Sequence, residues 1–187
     1  MKTQELSRIA TATSFMAVCS WISLPFAVPF TLQTFAVFLA LGVLGGKNGF
    51  LAILVYLLMG AVGVPVFAGF RGGVGVLLGA TGGYLFGFLL SALLYWVIEA
   101  SMKQNLSRIT MSVTLMSGLM LCYGFGTIWF YWVALQGGKV LSLFTVLSWC
   151  VFPFVVPDVL KMMLAIQLIP RLRRAVNILP GQRSGSL

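Results

Sequence analysis

Apolar residues run along this chain in long, nearly unbroken stretches, without the strict alternation of a half-buried strand or the single stripe of a surface helix. A helix that is apolar all round belongs in a membrane or deep in a large core, and about 20 such residues are enough to cross a bilayer. Stretches of this kind cover 9–24, 30–46, 50–67, 84–100, 109–135 and 154–170. The pattern predicts an all-α membrane protein of about six transmembrane helices. The breaks are PFAVP (25–29), KNG (47–49), a Gly-rich stretch (68–83), SMKQNLSR (101–108) and 136–153, where a short interfacial or partly buried helix is expected. Residues 1–174 read as a single transmembrane bundle and 175–187, ending GQRSGSL, as a disordered cytoplasmic tail. The first stretch lacks an A-x-A cleavage site and reads as a membrane helix, not a signal peptide.

Composition sharpens this picture. The chain is 60% hydrophobic and 8% charged, with a mean hydropathy of +1.04. Soluble domains carry roughly 25% charged residues, so no water-soluble surface fits here. The absence of histidine removes His-based metal sites, Ser-His nucleophiles and His proton relays. No GxxxxGK[ST] occurs; GGK at 137–139 is followed by Val140 and lacks the leading glycine, so the chain has no P-loop of its own. Cys19, Cys122 and Cys150, an odd set in or beside apolar runs, read as small buried residues and not as a disulfide framework.

The net charge of +9 does not indicate nucleic acid, because the basic residues punctuate apolar segments and form no soluble face. With six crossings, nine of the twelve Lys and Arg fall on one side, among them Lys47, Lys103, Arg108, Arg171, Arg173 and Arg174. Arg71 and Lys139 fall on the other, and Lys161 lies within the membrane. Positive residues stay inside, so both termini are expected in the cytoplasm. The outer connectors are then unusually apolar. Irregular backbone at membrane depth must pack on protein or line a cavity, so these Gly-rich loops are expected to fold over an outward-facing pocket. Tight turns alone are the other reading of the glycines.

Asp158, the chain's one aspartate, lies in VVPDVLKMMLA (155–165) with Lys161 three residues on. At that spacing the two share a helix face. Pro157 reads as a first-turn proline, which puts Asp158 at a helix N-terminus where the dipole favours its charge. An ionisable group at membrane depth is a functional candidate by default. A purely structural ion pair is the alternative.

Four stretches, PFTLQT (29–34), YLLMGAVGVPVFAGFRGGVGVLLGATGGYLFGF (56–88), PDVLKMMLA (157–165) and PRLRR (170–174), resemble in order and spacing the BioY family. Its members are the biotin-capturing S-components of bacterial energy-coupling-factor (ECF) transporters. The resemblance covers roughly residues 5–174, with Ala80 where the family usually has proline. It implies a six-helix cell-membrane subunit that binds biotin from outside. It also implies work alongside a membrane coupling protein and two cytoplasmic ABC ATPases, with no enzymatic activity and no cofactor. On that reading Asp158 accepts the ureido N–H groups, and Lys161 or Arg71 holds the carboxylate tail. Gln33, Thr81 and Tyr84 supply pocket hydrogen bonds, and Gly73 belongs to the loop that approaches the ligand. Gln33 and Tyr84 also suit interhelix packing and an interfacial aromatic. Family members dock on the coupling protein through small residues of the first helix. Here Ala10 with Ser14, and Thr13 with Ala17, give small-xxx-small pairs, which ordinary helix packing would also explain. A stand-alone proton-coupled transporter of a small carboxylate-bearing solute, with Asp158 as carrier, is the competing function.

Overall fold

The computed structural model describes residues 3–24, 28–102, 106–139 and 141–178. Lys103, assigned above to the cytoplasmic side, lies outside the described residues, as do Lys2 and Arg183, which complete the nine on that side, and the tail from 179 onward. Helix α1 (Thr3–Trp21) leads into a two-stranded antiparallel flap, β1 (Ser23–Leu24) against β2 (Phe30–Thr31). Next come α2 (Gln33–Ala61), the short α3 (Val74–Leu78), α4 (Gly82–Ser101), α5 (Arg108–Gln136), α6 (Leu143–Cys150) and α7 (Phe152–Ile178). The short helix expected within 136–153 is α6.

Two of the expected spans, 30–46 and 50–67, are joined in α2, which reverses direction at Gly45 (φ 80°, ψ 172°). The reversal follows from Gln33, whose side-chain nitrogen lies 2.7 Å from the Tyr56 hydroxyl. A straight helix would separate those residues by about 35 Å. KNG (47–49) is therefore no connector but the first turn of the second arm, and the turn is made by one glycine in a backbone region that L side chains rarely adopt. The Glu99 carboxylate accepts the Gly46 N–H at 2.5 Å and so caps the second arm. Arg173 donates to the Gly42 carbonyl at 2.6 Å, on the arm that ends there. Four stretches among the described residues are long and apolar enough to cross a membrane: Gln33–Ala61, Gly82–Ser101, Arg108–Gln136 and Leu143–Val176. The bundle thus has a hairpin end, marked by Gly45, Glu99 and Arg173, and an opposite end, where the flap sits.

Small residues let the helices close up. Ser91 of α4 donates to the Gly118 carbonyl of α5, and a Cβ on Gly87 or Gly126 would run into Cys122 or the Tyr84 ring. Without a hydrophobic drive between helices in lipid, such close approach supplies the packing. Thr13 of α1 donates to the Ala52 carbonyl at 3.0 Å, fixing α1 on the second arm of α2.

The sequence placed two boundaries differently. Helix α7 begins at Phe152, so Pro153 takes the first-turn place where a missing N–H costs nothing, and Pro157 is interior. At the far end α7 continues to Ile178, so 175–178 are helical. Pro170 lies inside α7 without ending it.

Candidate functional site

The flap end encloses a recess whose empty space, open mouth included, is about 700 Å³. Its wall is mainly apolar, with Phe67, Leu85, Phe88 and Phe154 among the lining. Six of the residues proposed from the sequence line it: Gln33, Arg71, Thr81, Tyr84, Asp158 and Lys161. Gly73 does not; it caps α3 with φ 95°, and its N–H is bonded to the Gly60 carbonyl.

Asp158 and Lys161 are the buried charged residues of the recess wall. They are 2% and 8% exposed, and the Lys161 ammonium is 2.8 Å from Asp158 Oδ1. Because Pro157 is interior, the helix end does not hold the carboxylate. Side chains from other helices do. Thr34 of α2 donates to Oδ1 at 2.8 Å, and Tyr123 of α5 donates to Oδ2 at 2.6 Å. A carboxylate offers about four acceptor positions, so three donors leave it one place for a ligand N–H. Lys161 is more fully engaged. Besides Asp158 it donates to the Thr31 carbonyl at 2.6 Å and to Thr34 Oγ1 at 3.3 Å. The Phe30 ring covers it at 4.1 Å. Three donors meet three acceptors, and no N–H is spare. Thr34, Tyr123 and the Thr31 carbonyl were not found from the sequence, since each reaches Asp158 or Lys161 from a distant element.

Gln33 is orientated by a relay. The Tyr56 hydroxyl spends its one proton on the Val66 carbonyl at 2.8 Å, so toward Gln33 it accepts, and the Gln33 amide must present its NH₂ there. The Gln33 carbonyl oxygen is thereby left as an acceptor. Tyr84 shares a 3.2 Å hydrogen bond with Thr127.

Arg71 sits at the mouth on a tight loop. Phe67 and Arg71 pair across Gly69 (φ 71°) and Phe70 (φ 56°), and the Arg71 Nε donates to the Ala68 carbonyl at 3.1 Å. This loop leans on α1, where Trp21 stacks on Phe70 at 4.9 Å and donates to the Pro65 carbonyl at 2.8 Å. The Gly-rich stretch is thus more than a set of turns, since part of it walls the recess. Along α1 itself, Ala10 and Ser14 face outward, whereas Ala17 is buried with Thr13. Cys19, Cys122 and Cys150 are free and buried, and among the described residues no cluster of metal-ligating side chains occurs.

Comparison with known proteins bears on this arrangement along the whole bundle. The model of the BioY family matches residues 1–178. A biotin transporter BioY of Thermotoga maritima is 39% identical over 172 residues, covering 91% of this chain and 96% of that protein. A biotin transporter BioY2 of Lactococcus lactis is 34% identical over 171 residues, covering 87% and 86%. Among solved structures, the crystal structure of the S-component for biotin from an ECF-type ABC transporter superposes with a TM-score of 0.80 at 26% identity, covering 92% of each chain. By fold and by sequence, this chain belongs to the BioY family.

Proposed function

We propose that this protein captures biotin from outside the cell as the S-component of an ECF-type ABC importer. Biotin uptake by an S-component follows from the family, and that family is one of transporters, not enzymes. Energy supply by a membrane coupling protein and cytoplasmic ATPases, six crossings with both termini inside, and placement in the bacterial plasma membrane complete the reading.

The observation that carries it at the level of residues is the buried Asp158–Lys161 pair on an apolar recess, with one acceptor position open. Biotin presents two ureido N–H donors, one carbonyl, an apolar ring and a carboxylate tail. Asp158 and the Gln33 carbonyl oxygen supply one acceptor for each N–H. Thr81 lines the recess as a hydroxyl donor for the ureido oxygen. The tail requires a free cation. Lys161 has none of its protons to spare, so Arg71 takes that role at the mouth, where the tail would emerge. Lys161 holds the Asp158 carboxylate in its orientation through the 2.8 Å contact to Oδ1. The proton-carrier alternative is disfavoured by the same pair, because both oxygens of the carboxylate are already engaged, by Lys161 and Thr34 on one and by Tyr123 on the other.

Native mass spectrometry of the detergent-purified chain tests the reading. Biotin retained at one per chain, and displaced by added biotin but not by an unrelated carboxylate, is the expected result. A chain that neither retains nor takes up biotin would overturn it.

A further inference from the structure

A second recess lies between the hairpin-end portions of α5 and α7, with an open volume of about 610 Å³, lined by Arg108, Gln167, Pro170, Arg171 and Arg174. Three guanidinium groups around one hollow repel each other unless an anion joins them. The chain has little to offer: of its three acidic residues, Asp158 is committed to Lys161, Glu99 to the Gly46 N–H, and Glu5, in the first turn of α1, does not line the hollow. Among the described residues no ion pair is made by Arg108, Arg171 or Arg174. Helix α5 starts at Arg108, so its positive end adds to the same field. The hollow is positive, open and unneutralised.

Its surroundings narrow the class of anion. Leu160, Met163 and Leu164 are exposed on α7 at the spacings that continue the Gln167–Arg171 face toward the bundle centre, and Ile109 and Val113 are exposed beside Arg108. Polar donors thus sit directly above apolar strips on both helices, at the end that the Lys and Arg distribution assigns to the cytoplasm. Basic hollows between helices at that level suit anionic headgroups, with acyl chains lying along the apolar flanks. Arginine forks suit phosphate oxygens in particular. We propose that this recess binds the phosphodiester headgroup of an anionic phospholipid, independently of what the flap end binds.

The full chain in mild detergent is offered phosphatidylglycerol or phosphatidylcholine with matched acyl chains, and bound lipid is read by native mass spectrometry. Phosphatidylglycerol should be retained in preference. The triple variant Arg108→Gln, Arg171→Gln, Arg174→Gln should lower its occupancy by about tenfold or more and leave phosphatidylcholine unchanged. A Lys47→Gln, Lys139→Gln control, outside the recess, should retain phosphatidylglycerol, and excess inorganic phosphate should not displace it. Equal retention of the two lipids, no effect of the arginine changes, or an equal loss in the control overturns the proposal. Displacement by inorganic phosphate would make this a free-phosphate site. Unchanged lipid selectivity with loss of co-purifying coupling protein would make it a protein-docking surface. If the triple variant fails to fold, Arg171→Gln alone and the wild-type headgroup comparison decide the matter.

Discussion

The two ends of the bundle use the same few charged residue types in opposite ways. At the flap end, Asp158 and Lys161 are buried, paired and surrounded by donors and acceptors from three other elements. At the hairpin end, Glu99 and Arg173 bond to backbone groups of the two arms of α2, Arg8 donates to the Val176 carbonyl, and Arg108, Arg171 and Arg174 stand exposed. Burial explains the contrast. An unpaired charge away from water costs several kcal/mol, whereas one at a helix end in the headgroup region costs little. The buried charges at the flap end are therefore coupled to each other, and those at the hairpin end to backbone or to solvent.

The largest expected effect comes from uncoupling the flap end. Lys161→Met should destabilise the protein by about 3–5 kcal/mol, since it leaves Asp158 buried without its cation. Thermal unfolding in detergent reads this, and the double variant Asp158→Asn, Lys161→Met should recover most of the loss. No recovery would mean that the two residues are not acting as a pair. Asp158→Asn alone removes a charged acceptor, and a charge-assisted hydrogen bond is worth ~1.5–3 kcal/mol. Calorimetric titration should then show biotin binding weakened by roughly one to two orders of magnitude. Wild-type affinity in folded Asp158→Asn protein would make the pair purely structural.

At the hairpin end the effects are smaller and concern stability alone. Gly45→Ala forces a side chain into positive φ and toward the Glu99 carboxylate, at a cost of about 1–2 kcal/mol. Its melting temperature should fall while biotin affinity stays within twofold; a large affinity loss would show that the two ends are not energetically separate. Arg71→Ala tests the mouth. It should weaken biotin by about tenfold, roughly 1.4 kcal/mol, and leave a biotin amide unaffected. Lys161 substitutions should weaken both ligands together. If Lys161→Met instead abolishes the preference for biotin over its amide, the tail lies on Lys161.

What the sequence made legible was local. Apolar runs show helices, and i, i+3 spacing shows that Asp158 and Lys161 meet, because both depend on neighbours within a turn. The partners of that pair were hidden. Tyr123 sits in an apolar helix of its own, and Thr34 is 124 residues from Asp158, so only the packed bundle brings them in. The turn at Gly45 was misplaced onto KNG because Lys47 and Asn48 look like loop residues. What decides the turn there is a single glycine conformation, capped by Glu99 from α4. Similarly, Pro157 looked like a helix start because Pro153 offers the same local signal four residues earlier.

The flap has a kinetic meaning. Strand β2 is held down by the Lys161 bond to the Thr31 carbonyl, and Phe30 contacts both that ammonium and the Phe154 ring. Lifting the strand breaks a charge-assisted bond and exposes an aromatic stack at once. Differences in affinity among related complexes reside mostly in the dissociation rate. On the proposed reading, a strand fastened to the same lysine that steadies Asp158 would link the residence time of a captured molecule to the integrity of the charge pair beside it. Loosening the pair would shorten that residence even where equilibrium contacts with the ligand stayed intact.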